Sequence, residues 1–327
     1  MKKALIIESK SSSSQFKNGG TIRQKTIESV LRFEGYEVNY LKSSNLSCET
    51  SWDVIVILSL RKFYLARKVK KSNTKIWLDL CDSWVYSRFS LTTGPRLFFI
   101  GLFEIAVLLT NRSVFSNCFV TYISPLDIKL DRNFLRILLV KQVSVLRNNW
   151  NLGNIRLNPT SKKRLVFLGE GNYFPNVLAA LELSLRFSTS FKKYKISEPV
   201  QIFGGNWPKW VGLLPNIQLK GFKAEEDLYF LGDIHLAPMR QKAGIKNKIE
   251  IPISLGLPVV AFTQSINGIP KSPNLYSCSS KRDFLTSISK AFNNEKIMLS
   301  DSMEVDSRFN VDNVIVEWLN TIKLGGN

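Results

Sequence analysis

The sequence predicts an α/β chain made of two doubly wound domains, and three observations carry that prediction. Short apolar runs of the buried-strand type alternate with helix-period segments in both halves. Residues 147–163, rich in Asn, Gly, Pro and Lys, interrupt the pattern without periodicity of their own. A length of 327 residues exceeds one ordinary core and suits two.

In the first half, Ala4, Leu5, Ile6 and Ile7 read as a buried parallel strand. A polar loop, residues 9–20, ends in Asn18-Gly19-Gly20. Thr21 then opens a helix with Ile22, Ile27, Val30 and Leu31 at apolar positions, and Gly35 ends it. Residues 36–40, 55–58 and 75–80 read as strands, with Asp79 and Asp82 at the end of the last. Residues 62–71 read as a basic surface helix. Residues 97–109 form an apolar stretch broken by Glu104, either a buried helix or an interfacial one, and too short for the roughly 20 residues that span a bilayer. Residues 113–116 and 119–124 read as strand-like, a helix follows Pro125, and residues 143–146 are a last strand.

The pattern restarts after the linker. Residues 164–168, 200–203, 217–220, 235–237 and 258–262 read as strands, and residues 176–187, 224–229, 246–255 and 283–292 as helices. The first two strands lead into Gly169-Glu170-Gly171 and Gly204-Gly205. A final helix over residues 311–324 places Val311, Val314, Ile315, Trp318, Leu319 and Ile322 on one face. The expected boundaries are residues 1–155, 156–310 and 311–327, the last helix packing toward the first domain.

Charge and rare residues narrow the chemistry. Lys and Arg number 45 against 26 Asp and Glu, a formal net charge of +19, so the field attracts phosphates of any origin. Cys48, Cys81, Cys118 and Cys278 are far apart and make no CxxC pair, which argues against a zinc ribbon or redox motif. His235 is the only histidine, sits in an apolar strand pattern, and reads as a core residue before a catalytic one. The four serines of residues 11–14 read as loop. No secretory leader is expected, because the apolar run after Met1 stops at Glu8.

One segment concentrates the anion chemistry. From Gly244-Ile245-Lys246-Asn247-Lys248 a glycine loop opens a helix, whose N-terminus offers free N–H groups and a positive dipole end, with two lysines beside it. Gly256-Leu257-Pro258 then turns into Val259-Val260-Ala261. Such a loop suits a diphosphate.

This segment resembles the donor-site signature of retaining glycosyltransferase family 4. Leu165-Val166-Phe167-Leu168-Gly169 with Asn172-Tyr173-Phe174-Pro175-Asn176, Gln201-Ile202-Phe203-Gly204-Gly205, Leu219-Lys220-Gly221-Phe222 and Ile234-His235-Leu236-Ala237-Pro238 are similar to the family's donor-domain strands. Asn18-Gly19-Gly20-Thr21 and Gly35-Tyr36-Glu37-Val38 are looser matches to its opening unit. The resemblance implies the GT-B fold, two Rossmann-like domains facing each other across a cleft. It further implies transfer with retention from a nucleotide-diphosphate sugar, without an essential metal or other cofactor.

The expected donor site takes Gly169, Gly204, Gly205, Gly244, Ile245, Lys246, Lys248 and Glu250, with Asn18, Gly19 and Gly20 from the first domain. Lys246 and Lys248 would stabilise the leaving diphosphate, and Asp82 would act from the cleft or, alternatively, cap the next helix. The family often has two glutamates eight positions apart. By register from Gly256 these fall on Ala243 and Ile251, with Glu250 one residue early beside Pro252. The expected acceptor is a saccharide or lipid-linked saccharide of surface polysaccharide synthesis (O-antigen, capsule or exopolysaccharide). The expected place is the cytoplasm or the anionic inner face of its membrane, docked by residues 97–109 and the Arg61, Lys62, Arg67, Lys68, Lys70, Lys71 cluster. The rivals are a GT-B protein degenerate in catalysis and a basic polyanion binder using Trp84, Trp150, Trp207 and Trp210. Nucleic acid is not expected, since no RNP, KH or zinc-finger module is evident.

Overall fold

The structure, a computed structural model, describes residues 2–7, 19–41, 51–58, 60–63, 65, 73–89, 95–148, 157–158, 162–187, 194, 196–224, 227–293 and 313–320. The chain divides into two compact units, Met1–Asn149 with Arg308–Asn327, and Trp150–Ser307.

The first unit holds β1 (Lys2–Ile7), α1 (Gly19–Phe33), β2 (Tyr36–Leu41), β3 (Val54–Ile57), β4 (Lys75–Cys81), α2 (Trp84–Phe89), α3 (Pro95–Thr110), α4 (Arg112–Phe115), β5 (Phe119–Tyr122), α5 (Pro125–Leu130), α6 (Arg132–Ile137) and β6 (Gln142–Val145). The strands run parallel in the order β2-β1-β3-β4-β5-β6. Helices cover both faces of such a sheet, so β3 and β5 are buried at every position. The C-terminal segment returns to this unit as α10 (Asn313–Asn320). Trp318 stacks on Phe119 at 4.8 Å and meets Trp77 edge-on at 6.4 Å, while the Tyr36 hydroxyl donates to the Leu319 carbonyl at 3.2 Å.

Several buried polar groups of this unit pair across elements. Arg23 of α1 is buried and donates through Nε to Asp79 Oδ2 at 2.9 Å and through Nη1 to the Leu146 carbonyl. Asp79 also accepts from Thr121, whose hydroxyl accepts from Trp77 Nε1 at 2.8 Å. One sequence expectation needs correction. Residues 113–116 are not strand: residues 112–115 form α4, because Phe115 is drawn into the core, where it stacks on Phe63 at 4.1 Å. Of the basic helix expected over residues 62–71, Phe63 and Leu65 are helical after a 3-10 turn at Leu60–Lys62, and Arg67, Lys68, Lys70 and Lys71 lie outside the described residues.

The second unit holds β7 (Arg164–Leu168), α7 (Phe174–Leu181) continued by a π turn (Glu182–Arg186), β8 (Val200–Phe203), β9 (Ile217–Gly221), β10 (Asp233–Ala237), α8 (Asn247–Ser254), β11 (Val259–Phe262), β12 (Leu275–Cys278) and α9 (Lys281–Asn293). Its parallel order is β12-β11-β10-β7-β8-β9. Strand order reverses between β7 and β10, the switch point where open α/β sheets place ligands at the carboxyl ends. The strand β12 has no counterpart in the sequence reading: it is an edge strand with one fully buried residue, too little apolar signal to register.

His235 lies in the middle of β10, buried, with both ring nitrogens unpartnered among the described residues. The Asp233 carboxylate is 4.0 Å away and already accepts from Arg164 Nε at 2.6 Å and Nη2 at 2.7 Å. Burial, with the Arg164 charge adding to it, lowers the imidazole from 6.5 to about 3, so it is neutral in the fold. Between those two values the unfolded chain carries a proton that the folded chain lacks, so stability falls as pH falls from about 6.5. His235→Leu should remove this part of the acid sensitivity. Denaturant titrations at about pH 7 and pH 5 should show the unmodified chain losing about 2 kcal/mol more than the variant. Equal losses would mean that the imidazole takes up its proton in the fold.

Candidate functional site

The carboxyl ends of β7, β8 and β10 carry three loops, and two of them are fused by close backbone approach. The Gly169 amide donates to the Phe203 carbonyl at 2.9 Å, and the Gly171 amide to the Gly205 carbonyl at 3.0 Å. A Cβ on Gly204, whose φ is +134°, would lie 1.9 Å from the Gly169 carbonyl oxygen, and one on Gly171 would lie 2.3 Å from Trp207 Cα. Glycine at these positions is therefore a steric requirement of the joined loops. The Trp207 indole donates to the Gly169 carbonyl at 3.0 Å and closes the arrangement.

The third loop crosses the switch point. The Tyr173 hydroxyl donates to buried Gln241 at 2.9 Å, tying the loop after β7 to the loop after β10. Gly244 has a φ of +74°, and Lys246 is the extended residue that caps α8 without a side-chain cap bond. The amides of Asn247 and Lys248, the first two of α8, have no acceptor among the described residues. At its other end α8 closes with Gly256 in the left-handed region. There the Leu257 amide bonds the Pro252 carbonyl at 2.8 Å and the Gly256 amide the Ile253 carbonyl at 2.9 Å, the Schellman arrangement.

The two lysines differ in environment. Lys246 Nζ donates to the Ala243 carbonyl and, at 3.1 Å, to that of Gly244, so it braces its own loop. Lys248 Nζ reaches across to α7, donates to Asn176 Oδ1 at 2.7 Å, and lies 4.7 Å above the Phe167 ring. It has no carboxylate partner among the described residues. Burial, and then the nearby Lys246 charge, lower its amine from 10.5 to about 7. Asn176 is itself buried and held by its Nδ2 donating to the Glu170 carbonyl at 2.8 Å.

Gly169, Gly204, Gly205, Gly244, Ile245, Lys246 and Lys248 thus belong to one carboxyl-end cluster, with Gly244 and Ile245 buried in its loop. Glu250 is a partly buried member of the first turn of α8. Pro252 leaves the helix start regular, since the Lys246 carbonyl accepts from both Ile249 and Glu250, at 2.8 and 3.0 Å. Asn176 and Tyr173 stand in the sequence motif without a role; nothing in spacing tells that they meet Lys248 and Gln241, 72 and 68 residues away.

Gly19, Gly20 and Asp82 belong to the first unit, and Asn18 lies outside the described residues. Gly19 and Gly20 are the first residues of α1. Asp82 follows Cys81, which has a φ of 60° and directs its thiol to Asp82 Oδ1 at 3.8 Å. The capping alternative for Asp82 is corrected: Ser83 caps α2, its hydroxyl accepting from the Tyr86 amide at 3.1 Å. Ser83 in turn is held by the buried carboxylates of Asp127 and Asp131, and Asp131 also accepts from the Trp84 amide at 2.7 Å. The tryptophan set offered for polyanion binding also changes. Trp84 is buried and stacked on Phe134 at 4.4 Å, Trp207 is engaged by Gly169, and Trp150 lies outside the described residues, which leaves Trp210 exposed.

No family model matches the chain, and no curated protein matches it in sequence. Solved structures do resemble it. A mutant of S. aureus TarM in complex with Fondaparinux, alpha-GlcNAc-glycerol and UDP has a TM-score of 0.55 at 13% identity, over 82% of this chain and 55% of that one. The chain therefore spans about half the length of TarM. T4 phage BGT in complex with its UDP-glucose substrate has a TM-score of 0.51 at 10% identity, over 99% of this chain and 98% of that one. A beta-glucosyltransferase described as a DNA modifying enzyme has a TM-score of 0.50 at 12% identity, over 99% and 98%. The likeness is one of fold: the chain has two six-stranded parallel sheets with flanking helices, the α/β class of the GT-B glycosyltransferases.

Proposed function

We propose that the chain is a glycosyltransferase that takes a sugar from a nucleotide-diphosphate donor bound at the carboxyl-end cluster of its second unit. The observation that carries this reading is Lys248, a partly buried cation without a carboxylate partner among the described residues, set beside unbonded helix amides at a switch point. A diphosphate supplies the missing anion. Negative charge grows on it as the bond to the sugar breaks, and a preorganised ammonium with helix N–H groups stabilises that charge without reorganisation. Lys246 adds field at the same loop. Glu250 is assigned the ribose hydroxyls, Asp82 a role at the reacting sugar, and Asn18, Gly19 and Gly20 the approach of backbone amides to it. The likeness to family 4 supports retention at the anomeric carbon. In this reading the lysines and helix terminus take the place of a metal.

The acceptor is proposed as a saccharide or lipid-linked saccharide of surface polysaccharide synthesis, met at the inner face of the cytoplasmic membrane. A second reading, a polyanionic acceptor such as DNA, is favoured by the net charge of +19 and by the nearly equal length of the DNA modifying beta-glucosyltransferase. Transfer from labelled UDP-glucose and GDP-mannose to lipid-linked oligosaccharide or to duplex DNA separates the two. Hydrolysis and transfer absent with every donor would sink the enzyme reading.

Calorimetry with UDP-glucose tests the donor site. Lys248→Ala should weaken binding by about 1.5–3 kcal/mol, the range for a charge-assisted hydrogen bond. Lys246→Ala should weaken it less, its amine being engaged by loop carbonyls. Unchanged affinity in the Lys248 variant would remove the site.

The same measurement across pH gives a second test. The ammonium form binds the diphosphate, and in the free chain it titrates at about 7. Binding should therefore take up a proton above that pH, and affinity should fall by up to roughly tenfold per pH unit. Lys248→Met should flatten the profile. UDP-glucose is the right probe because its diphosphate diester has no ionisation near neutrality. A flat profile in the unmodified chain would show that Lys248 does not touch the donor.

A further inference from the structure

The apolar stretch of residues 97–109, which spacing alone leaves between core and interface, is decided by α3. Its inward side is packed: Leu108 is buried, and a Cβ on Gly101 would lie 2.8 Å from Phe89 and 2.9 Å from Arg88 Cβ. Its only acid, Glu104, is turned inward and buried, accepting from Trp84 Nε1 at 2.7 Å and Arg88 Nε at 2.9 Å. The outward side carries Phe98, Phe99, Leu102, Phe103 and Leu109, which are 43, 67, 47, 68 and 50% exposed. This inverts the usual surface helix, which faces solvent with its charges. The spacing keeps these side chains on one stripe over three turns, and the Phe98 ring meets Phe89 edge-on at 5.5 Å, so the stripe is anchored to the fold.

Charge selects the occupant. Between Asp82 and Asp127 the chain contains no acid except the inward Glu104, while Arg112, two residues past the end of the helix, is exposed. A second copy of a chain of net charge +19 would be repelled from such a face. A bilayer with anionic head groups offers apolar depth for the aromatic stripe and counter-charge for Arg112 and for the net charge of +19. The helix has 16 residues, about 24 Å at 1.5 Å per residue, and no helix among the described residues is long and apolar enough to cross a membrane.

We infer that the outward face of α3 docks the protein on an anionic lipid bilayer, lying in the interface with Phe99 and Phe103 inserted. This deepens the reading of a membrane-held acceptor, and its test uses no substrate. The full chain is sedimented with vesicles of phosphatidylcholine alone or with about 30 mol % phosphatidylglycerol, in low salt and in about 0.5 M NaCl. Binding to the anionic vesicles should partly survive the salt. Phe99→Ser/Phe103→Ser should reduce it at least about tenfold, whereas Phe33→Ser, which removes an 83% exposed phenylalanine on α1, should leave it unchanged. Thermal melting confirms that each variant folds as the parent does. The inference is overturned by absent binding in low salt, by binding wholly lost in high salt, by equal binding of the double variant, or by a solution dimer that the double variant dissolves. If vesicle binding fails while UDP-glucose still binds, docking is wrong and the transfer reading stands. If vesicle binding holds while UDP-glucose binding is absent, docking stands and the transfer reading is wrong.

Discussion

Every strand pairing in both sheets is parallel, and that constraint governs where chemistry can sit. Parallel strands connected by crossover helices are buried on two faces, so their side chains are almost all apolar and polar groups must be paired or moved to the strand ends. In the second unit the loops after β7, β8 and β10 collect at the carboxyl edge, and the strand reversal between β7 and β10 keeps the first and third from being covered by one crossover. The glycines there follow from the same constraint. Gly171 and Gly204 let the loops after β7 and β8 approach backbone to backbone, and Gly169 leaves room for Asn176, which accepts from Lys248 across the reversal.

Among the described residues, three arginines inside the fold each face a carboxylate, and Lys248 does not. Arg23 faces Asp79, Arg88 faces Glu104, and Arg164 faces Asp233, each at 2.5–2.9 Å between nitrogen and carboxylate oxygen. Such pairs offset the desolvation of both partners and hold elements distant in sequence together. Among the described residues Lys248 has an amide and an aromatic ring in place of a carboxylate, and burial and then the Lys246 charge lower its proton affinity. Asp79 is committed to Arg23 and Thr121, and Asp82 follows Cys81, whose φ is 60°, at the strand end.

Much of this was legible in the sequence. Runs such as Val54 to Ile57 and Val259 to Phe262 read as buried strands, glycine after a helix followed by Pro and β-branched residues marks a helix stop before a strand, and a glycine loop with two lysines marks a helix start suited to an anion. These signals are local, set by backbone sterics and by the period of the element, and they determined the α/β class, the order of most elements and the loop of residues 244–248. What tertiary structure alone decided is everything that depends on which surface a residue faces and what it meets there. Residues 112–115 became helix because Phe115 enters the core, and β12 pairs at an edge with little apolar signal. Glu104 sits in an apolar helix because Arg88 and Trp84 receive it inside, leaving the phenylalanines outside. Lys246 and Lys248, two positions apart and equal in the sequence, were separated into a loop brace and a cation held by an asparagine 72 residues away. Spacing along a chain sets local conformation, but burial and pairing are properties of long-range packing, and it is packing that gives each charge its partner.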